Sequence, residues 1–255
     1  MVVCGEKFPF GTETGEHMRV VLASESESRK RALEILGLKY EVRPSAINEK
    51  AVRDLDPAVM TRKLAEAKAW AVVNAEAQRM QAAAAAGTSS SALGGGGAAS
   101  PSVTSSDVNG STGGAGEVGG GGALVEGPAV VVAGDAVVTK EGRIFEKPVN
   151  VTHALEFLHD LSGSAFKFVT SLVVIRTDNH KMLSTVEIST IRFRELVERE
   201  IRDYVMRYPV LQFAGAFEAD GVARFAESVS GSYNFMTGIP VSRLAVFLRQ
   251  MGVAV

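Results

Sequence analysis

A chain of 255 residues, 46% hydrophobic and 22% charged, with a formal net charge of -2, is long enough to bury a full core and carries no general attraction for a nucleic-acid backbone or an anionic membrane. Any phosphate it binds must be held by local basic residues. Cys4 is the single cysteine, which excludes an internal disulfide and a cysteine-rich metal site and points to a reducing compartment.

The first seven residues lack the apolar core of a secretory signal, and no apolar run reaches membrane-spanning length. The sequence therefore reads as cytoplasmic, with residues 1–17 as a flexible tail. Residues 20–23 form an apolar run that stops at Ser24, Ser26 and Ser28. A helical pattern follows, with Ala32, Leu33, Ile35 and Leu36 at core-facing spacing before Gly37. This is strand, tight turn, helix. The serines crowd the helix N-terminus, where free backbone N–H groups and the positive end of the dipole favour an anion, and Arg29 adds a fork of donors. Taken alone, the pattern reads as a serine-capped helix before it reads as a phosphate site.

Residues 40–43 suggest a short strand, followed by a polar loop through Glu49. Asp56-Pro57 is an N-cap with proline at the first helical position, opening a helix whose apolar side carries Leu64, Ala67, Ala71 and Val72. Lys63 and Lys68, on the same helix, read in isolation as its wet face. From about 82 to 127 the composition collapses into alanine, glycine, serine and threonine. Such a stretch has little to bury and much entropy to lose, so it predicts a disordered insertion within one domain spanning 18–255. Its glycines lack the fixed spacing and the Lys-Ser or Lys-Thr of a nucleotide loop.

Residues 128–139 form a nearly continuous β-branched run of the kind buried in mid-sheet, with Asp135 inside it. A carboxylate there is costly unless paired, hydrogen-bonded or bound to metal. The valines on both sides favour that reading over a solvent-facing turn. Glu141-Gly142 is a hairpin turn. Further on come a helix at 152–161, strands at 166–175 and 183–191, a helix at 193–208 stopped by Pro209, strands at 213–217 and 223–229, and a closing helix at 241–251. The alternation gives an α/β class with a mixed sheet, because some neighbouring strands are joined by turns too short for a crossover. His17, His153, His159 and His180 have no metal-ligand spacing and no neighbouring nucleophile signature.

Several stretches, in order, resemble the Maf family of nucleoside triphosphate pyrophosphatases. They are Leu22-Ala23-Ser24-Glu25-Ser26-Glu27-Ser28-Arg29, Ile47-Asn48-Glu49, Ala65-Glu66-Ala67-Lys68-Ala69, Ala133-Gly134-Asp135, Glu146-Lys147-Pro148, Leu161-Ser162-Gly163, Ala214-Gly215-Ala216-Phe217, and Ser230-Gly231-Ser232-Tyr233-Asn234 with Gly238-Ile239-Pro240. The resemblance implies hydrolysis of a nucleoside triphosphate to monophosphate and pyrophosphate with a divalent metal, magnesium or manganese. It implies an elongated two-lobed α/β fold with a mixed sheet flanked by helices, similar to the inosine triphosphate pyrophosphatases, with the site in the central cleft and often a homodimer. Carried over by position, Asp135 is the catalytic acid acting as proton acceptor. Ser24, Ser26 and Arg29 fall on the phosphate-binding turn, and Glu49, Lys68 and Lys147 on the other polar active-site positions. Asp135 and Glu49 are the candidate metal ligands, and Arg29, Lys68 and Lys147 the candidate phosphate clamps.

The chain also departs from the family. Glu27 and Ser28 stand where proline and arginine are usual, Ala136 where a threonine follows the catalytic Asp, and Asn48 where an acid is usual. Ser28, Ala136 and Asp220 fall on the positions the family uses to choose a base. Asp220 before Gly221 leans towards the branch associated with 7-methylguanosine triphosphate, since an acid accepts two hydrogen bonds from a guanine edge; the other branch prefers pyrimidine triphosphates. The leading expectation is a house-cleaning pyrophosphatase. The alternative is a catalytically impaired nucleotide-binding regulator on the same fold. Retention of Asp135, Glu49, Lys68 and Lys147 together argues for the enzyme.

Overall fold

The computed structural model describes residues 18–89 and 127–255. The expected tail, and residues 90–126 of the expected insertion, lie outside the described residues. By compactness the chain divides into a main unit, residues 1–75 with 127–255, and a second unit, residues 76–126.

The main unit is built on strands β1 (Arg19–Leu22), β2 (Glu41–Val42), β3 (Ala129–Lys140), β4 (Arg143–Phe145), β5 (Ala165–Arg176), β6 (Met182–Phe193) and β7 (Ala226–Gly231). Their order is β2-β1-β3-β5-β6-β7, with β4 pairing β3. β1 is parallel to both β2 and β3, and the other pairs are antiparallel. Parallel neighbours need a crossover, and the helices supply it: α1 (Glu27–Ile35) lies between β1 and β2, and α2 (Pro57–Ser89) between β2 and β3. The remaining helices are α3 (Val151–Leu161), α4 (Glu198–Arg207), α5 (Ala219–Phe225) and α6 (Val241–Gln250).

Strand alternation sorts β3 onto two faces. Val130 and Val132, with Val20, Leu22, Leu172 and Val174, pack against Ala32 and Leu33 of α1 and Leu244 and Leu248 of α6. Ala129, Val131 and Ala133, with Val21, Val173 and Ile175, pack against Ala65, Ala69, Val72 and Val73 of α2. Further along, Val138, Phe166 and Phe168 join Phe157 and Leu158 of α3 and Tyr204 of α4 in an aromatic-rich cluster. Gly134 falls between the first and the last of these, and Ala136 packs against the last. The edge of β3 is interrupted at the same place. β1 pairs with residues 129–132 and β4 with 138–140, which leaves 133–137 paired only on the β5 side among the described residues. A break in both core and sheet edge therefore sits around Asp135.

Several expectations change. α2 continues to Ser89, past the point where composition predicted the end of order, because an alanine run keeps a helix going without anything to bury. Phe193 ends β6 inside the aromatic core, and α4 starts only at Glu198, whose start is fixed by Val197 N donating to Glu200 Oε1 at 2.8 Å. Residues 213–217 are not a strand. They contain a 3-10 turn, Ala214–Ala216, with φ of 70° at Gly215 and 64° at Ala216, a handedness no strand can hold. Residues 223–225 close α5, so the last strand begins at Ala226. The Glu141-Gly142 turn is as expected, with φ of 51° and 82°, the pair of positive values a two-residue hairpin loop needs.

One polar network fixes the segment after β7. The buried Asn234 donates from Nδ2 to Thr170 Oγ1 at 2.6 Å and to the Glu187 carbonyl at 3.1 Å, and Ser189 Oγ donates to Asn234 Oδ1 at 2.5 Å. This anchors the loop that brings Gly238 and Ile239 over the middle of β3.

Candidate active site

The turn from β1 into α1 keeps its hydroxyls free of capping. Ser26 stands at the N-cap of α1, yet its side chain makes no cap hydrogen bond. Ser24 Oγ instead accepts from the Ser26 backbone N at 3.2 Å and from Arg29 Nη1 at 3.2 Å. The simple capped-helix reading is therefore replaced by a turn in which one serine positions an arginine.

Asp135 and Lys68 meet across the open stretch of β3. Lys68 Nζ donates to Asp135 Oδ1 at 2.8 Å and lies 3.2 Å from Glu49 Oε1. Lys68 and Asp135 are 6% and 7% exposed, whereas the Glu49 side chain is 57% exposed. Lys68 is thus not on the wet face of its helix: strand alternation turns Asp135 towards α2, and the lysine is what makes its burial tolerable. Beside it, Ser171 Oγ donates to the Thr61 carbonyl at 2.7 Å and ties β5 to the same helix.

Arg29 approaches β3 from the other face, and Gly134 makes that approach possible. A Cβ built on Gly134 would lie 2.3 Å from Ile239 Cγ2, 2.8 Å from the Ser171 carbonyl oxygen and 3.6 Å from Arg29 Nε. We expect Gly134→Ala to destabilise the protein by about 1–3 kcal/mol through overpacking and to raise KM for substrate by displacing Arg29, as read by thermal melting and steady-state kinetics. Arg29 Nε is buried and has no hydrogen-bond partner among the described residues. Burial holds the guanidinium below its ordinary pKa, opposed by the charges of Asp135 and Glu49. A buried cationic N–H without an acceptor is costly, and an anion in the adjoining cavity relieves it.

Lys147, just after β4, lines the same cavity. Partial withdrawal from water pushes its ammonium below the usual lysine range. The positive charges of Arg29 and Lys68 act in the same direction, and Glu49 and Asp135 oppose them. Protonation is complete below that lowered pKa and lost above it, so binding of a polyanion weakens as pH rises through it. KM for a triphosphate is expected to climb on the alkaline side at a lower pH than an ordinary lysine would give. Lys147→Arg, which keeps its charge, should remove that limb from the pH profile.

These groups share one cavity of about 460 Å³, lined by Ser24, Ser26, Ser28, Arg29, Glu49, Lys68, Asp135, Ala136 and Lys147 among others. The sequence-predicted residues are thus brought together with one exception. Asp220 is exposed in the first turn of α5 and does not line the cavity, whereas Glu218 does. The helix start accounts for this: α5 begins at Ala219, and its second residue is exposed. The sequence reading also missed Phe168, Phe213, Phe217 and Phe235, which line the far side of the cavity with Gln212. Two of them belong to the aromatic core, with the Phe168 and Phe217 ring centroids 6.3 Å apart. The available signal was the run of phenylalanines flanking Ala214-Gly215-Ala216, which a strand assignment absorbed as core.

A family model described as Maf-like protein matches residues 19–251. A dTTP/UTP pyrophosphatase of Desulforamulus reducens is 25% identical over 237 residues, covering 92% of this chain and 98% of the relative. One from Bacillus cereus is 27% identical over 243 residues, 94% of each chain. A third, from Hahella chejuensis, is 35% identical over 127 residues, covering 49% of this chain and 62% of the relative.

Proposed function

The chain belongs to the Maf family and is a nucleotide pyrophosphatase, and we propose that its substrates are uridine and thymidine triphosphates, which it splits into monophosphate and pyrophosphate. The observation that carries this reading is the meeting, in one cavity, of a buried carboxylate, three basic side chains and a free serine turn. Asp220 before Gly221 favours a 7-methylguanosine triphosphate-like substrate on sequence grounds alone. The pyrimidine name carried by relatives at 25% and 35% identity outweighs it. The finer architecture implied by the resemblance, a site in the cleft between two lobes, belongs to this reading. It is supported by the gap at Gly134 between the core under α1 and α6 and the core under α3 and α4.

Among the described residues no three His, Cys, Asp or Glu side chains converge as a metal cage. Two carboxylates, Asp135 and Glu49, lie on the same lysine. That donor set fits a hard cation of the magnesium or manganese class, which takes one or two carboxylates and draws its other ligands from water and phosphate. Asp135 and Glu49 would hold it, and bound there it supplies neutralisation of charge on the phosphate oxygens.

The chain's own groups carry the remaining steps. Ser24 and Arg29 receive phosphate oxygens, Arg29 through its unused Nε, and Lys147 adds a third positive point. Lys68 occupies Asp135 Oδ1, which leaves Oδ2 to accept a proton from the attacking water. That water adds to phosphorus as the anhydride P–O bond breaks. The bond's electron pair leaves with pyrophosphate, and the water's second proton stays on or departs from the monophosphate. A panel of standard and modified triphosphates assayed for pyrophosphate tests the reading. Pyrophosphate is expected from UTP and dTTP, and its absence from every triphosphate with every divalent metal would reject it.

A further inference from the structure

The far side of the cavity contains an acid with no role in phosphate chemistry, Glu218. It stands at the N-cap of α5, where a polar side chain ordinarily turns back to cap the helix, yet it makes no cap hydrogen bond. Its backbone is pinned by Glu218 N donating to Tyr204 Oη at 3.4 Å and by Val222 N donating to the Glu218 carbonyl at 3.1 Å. Gly221 allows this close packing, since a Cβ there would lie 2.6 Å from Tyr204 Oη and 2.8 Å from Phe217 Cβ. The carboxylate makes no hydrogen bond or ion pair among the described residues. Burial and the neighbouring Asp220 push its pKa up, so its charge is poorly compensated.

Register places this acid relative to the phosphate end. Phe168 sits opposite Val138, three residues along β3 from Asp135, or about 10 Å at the strand rise. Phe217 packs on Phe168, and Glu218 follows it in sequence. That separation suits a nucleotide whose phosphates lie at Asp135 and Arg29 and whose base lies against the phenylalanines.

We propose that Glu218 reads the base, accepting a ring N–H from a keto base seated against Phe168, Phe213, Phe217 and Phe235. This inference rests on the pyrophosphatase reading and deepens it. Uracil and thymine offer N3–H at that position and guanine offers N1–H, whereas cytosine N3 and adenine N1 present a lone pair that a carboxylate repels. A site built to accept a hydrogen bond discriminates against an analogue lacking the donor, because its own half-buried acceptor is then left unpaired. An acid at 218 therefore does what Asp220, turned outward, cannot, and it accounts for preference among triphosphates without Ser28 or Ala136.

The test is kcat/KM for UTP, dTTP, CTP, GTP, 7-methyl-GTP and ATP in the wild type, Glu218→Gln and Glu218→Ala. The wild type is expected to prefer keto bases, with UTP and dTTP separated from GTP and 7-methyl-GTP by how well one ring or two fits the cavity. Glu218→Gln keeps the size of the side chain but can turn an NH2 towards a bare ring nitrogen. It should shrink the UTP-to-CTP ratio by about tenfold or more, with the change carried mainly by KM. Glu218→Ala should flatten the ratio as well. Pyrophosphate release with an unchanged ratio in both variants overturns the inference and leaves the pyrophosphatase reading standing. A wild type that releases no pyrophosphate overturns that reading and, with it, this one.

Discussion

Asp135→Asn is expected to reduce pyrophosphate release by about 10³-fold or more while leaving the fold intact. The asparagine is nearly isosteric, and its carbonyl oxygen still accepts from Lys68 Nζ, the contact now made at 2.8 Å. What it loses is the carboxylate's second, basic oxygen, so the loss should fall on kcat with KM for the triphosphate changed little. Circular dichroism and melting temperature close to wild type would separate this from misfolding. Activity within tenfold of wild type would mean that the proton goes elsewhere, Glu49 being the second carboxylate on Lys68.

The second large effect is on stability. Lys68→Met leaves the Asp135 carboxylate buried at 7% exposure without its cation. Breaking a buried pair from one side costs about 3–5 kcal/mol, which for a chain of this size lowers the melting temperature by on the order of 10 °C. Adding Asp135→Asn to Lys68→Met removes the orphaned charge and should recover much of the loss while activity stays absent. That pattern, stability restored without catalysis, is one a purely structural ion pair shares only in its first half. A Lys68→Met variant as stable as wild type would show that Asp135 finds another partner.

The parts of this protein that local chemistry decides were legible in the chain. The valines around Asp135 announced a buried strand, and the register of β3 with β5 runs straight through it. Asp56-Pro57 announced the start of α2, where Ala58 N donates to Asp56 Oδ1 at 2.8 Å. What was not legible depends on contacts between distant residues. Lys68 lies 67 residues from Asp135 and looks, on its own helix, like any solvated lysine. The turn at 214–216 carries apolar residues that suit a strand, and only the left-handed backbone at Gly215 and Ala216, packed against Val138, makes it a turn. The choice between Glu218 and Asp220 hangs on where a seven-residue helix begins, which periodicity over so short a stretch does not decide.

The same physics explains why two glycines matter here while the many in the low-complexity stretch carry no argument. Gly134 is a place where the backbone must be bare so that Ile239 and an arginine can touch a strand, and Gly221 lets a tyrosine hydroxyl reach the base of α5. Each shapes one end of the cavity, the first beside the phosphate groups and the second beside Glu218.

The most direct measurement is a crystal structure of the full chain with a non-hydrolysable UTP analogue and magnesium. The account predicts phosphate oxygens within hydrogen-bond distance of Ser24 Oγ and Arg29 Nε, the α-phosphorus nearest Asp135, and the uracil ring among the phenylalanines with N3 facing Glu218. A triphosphate bound away from Asp135, or with its base at the Arg29 end, would contradict it.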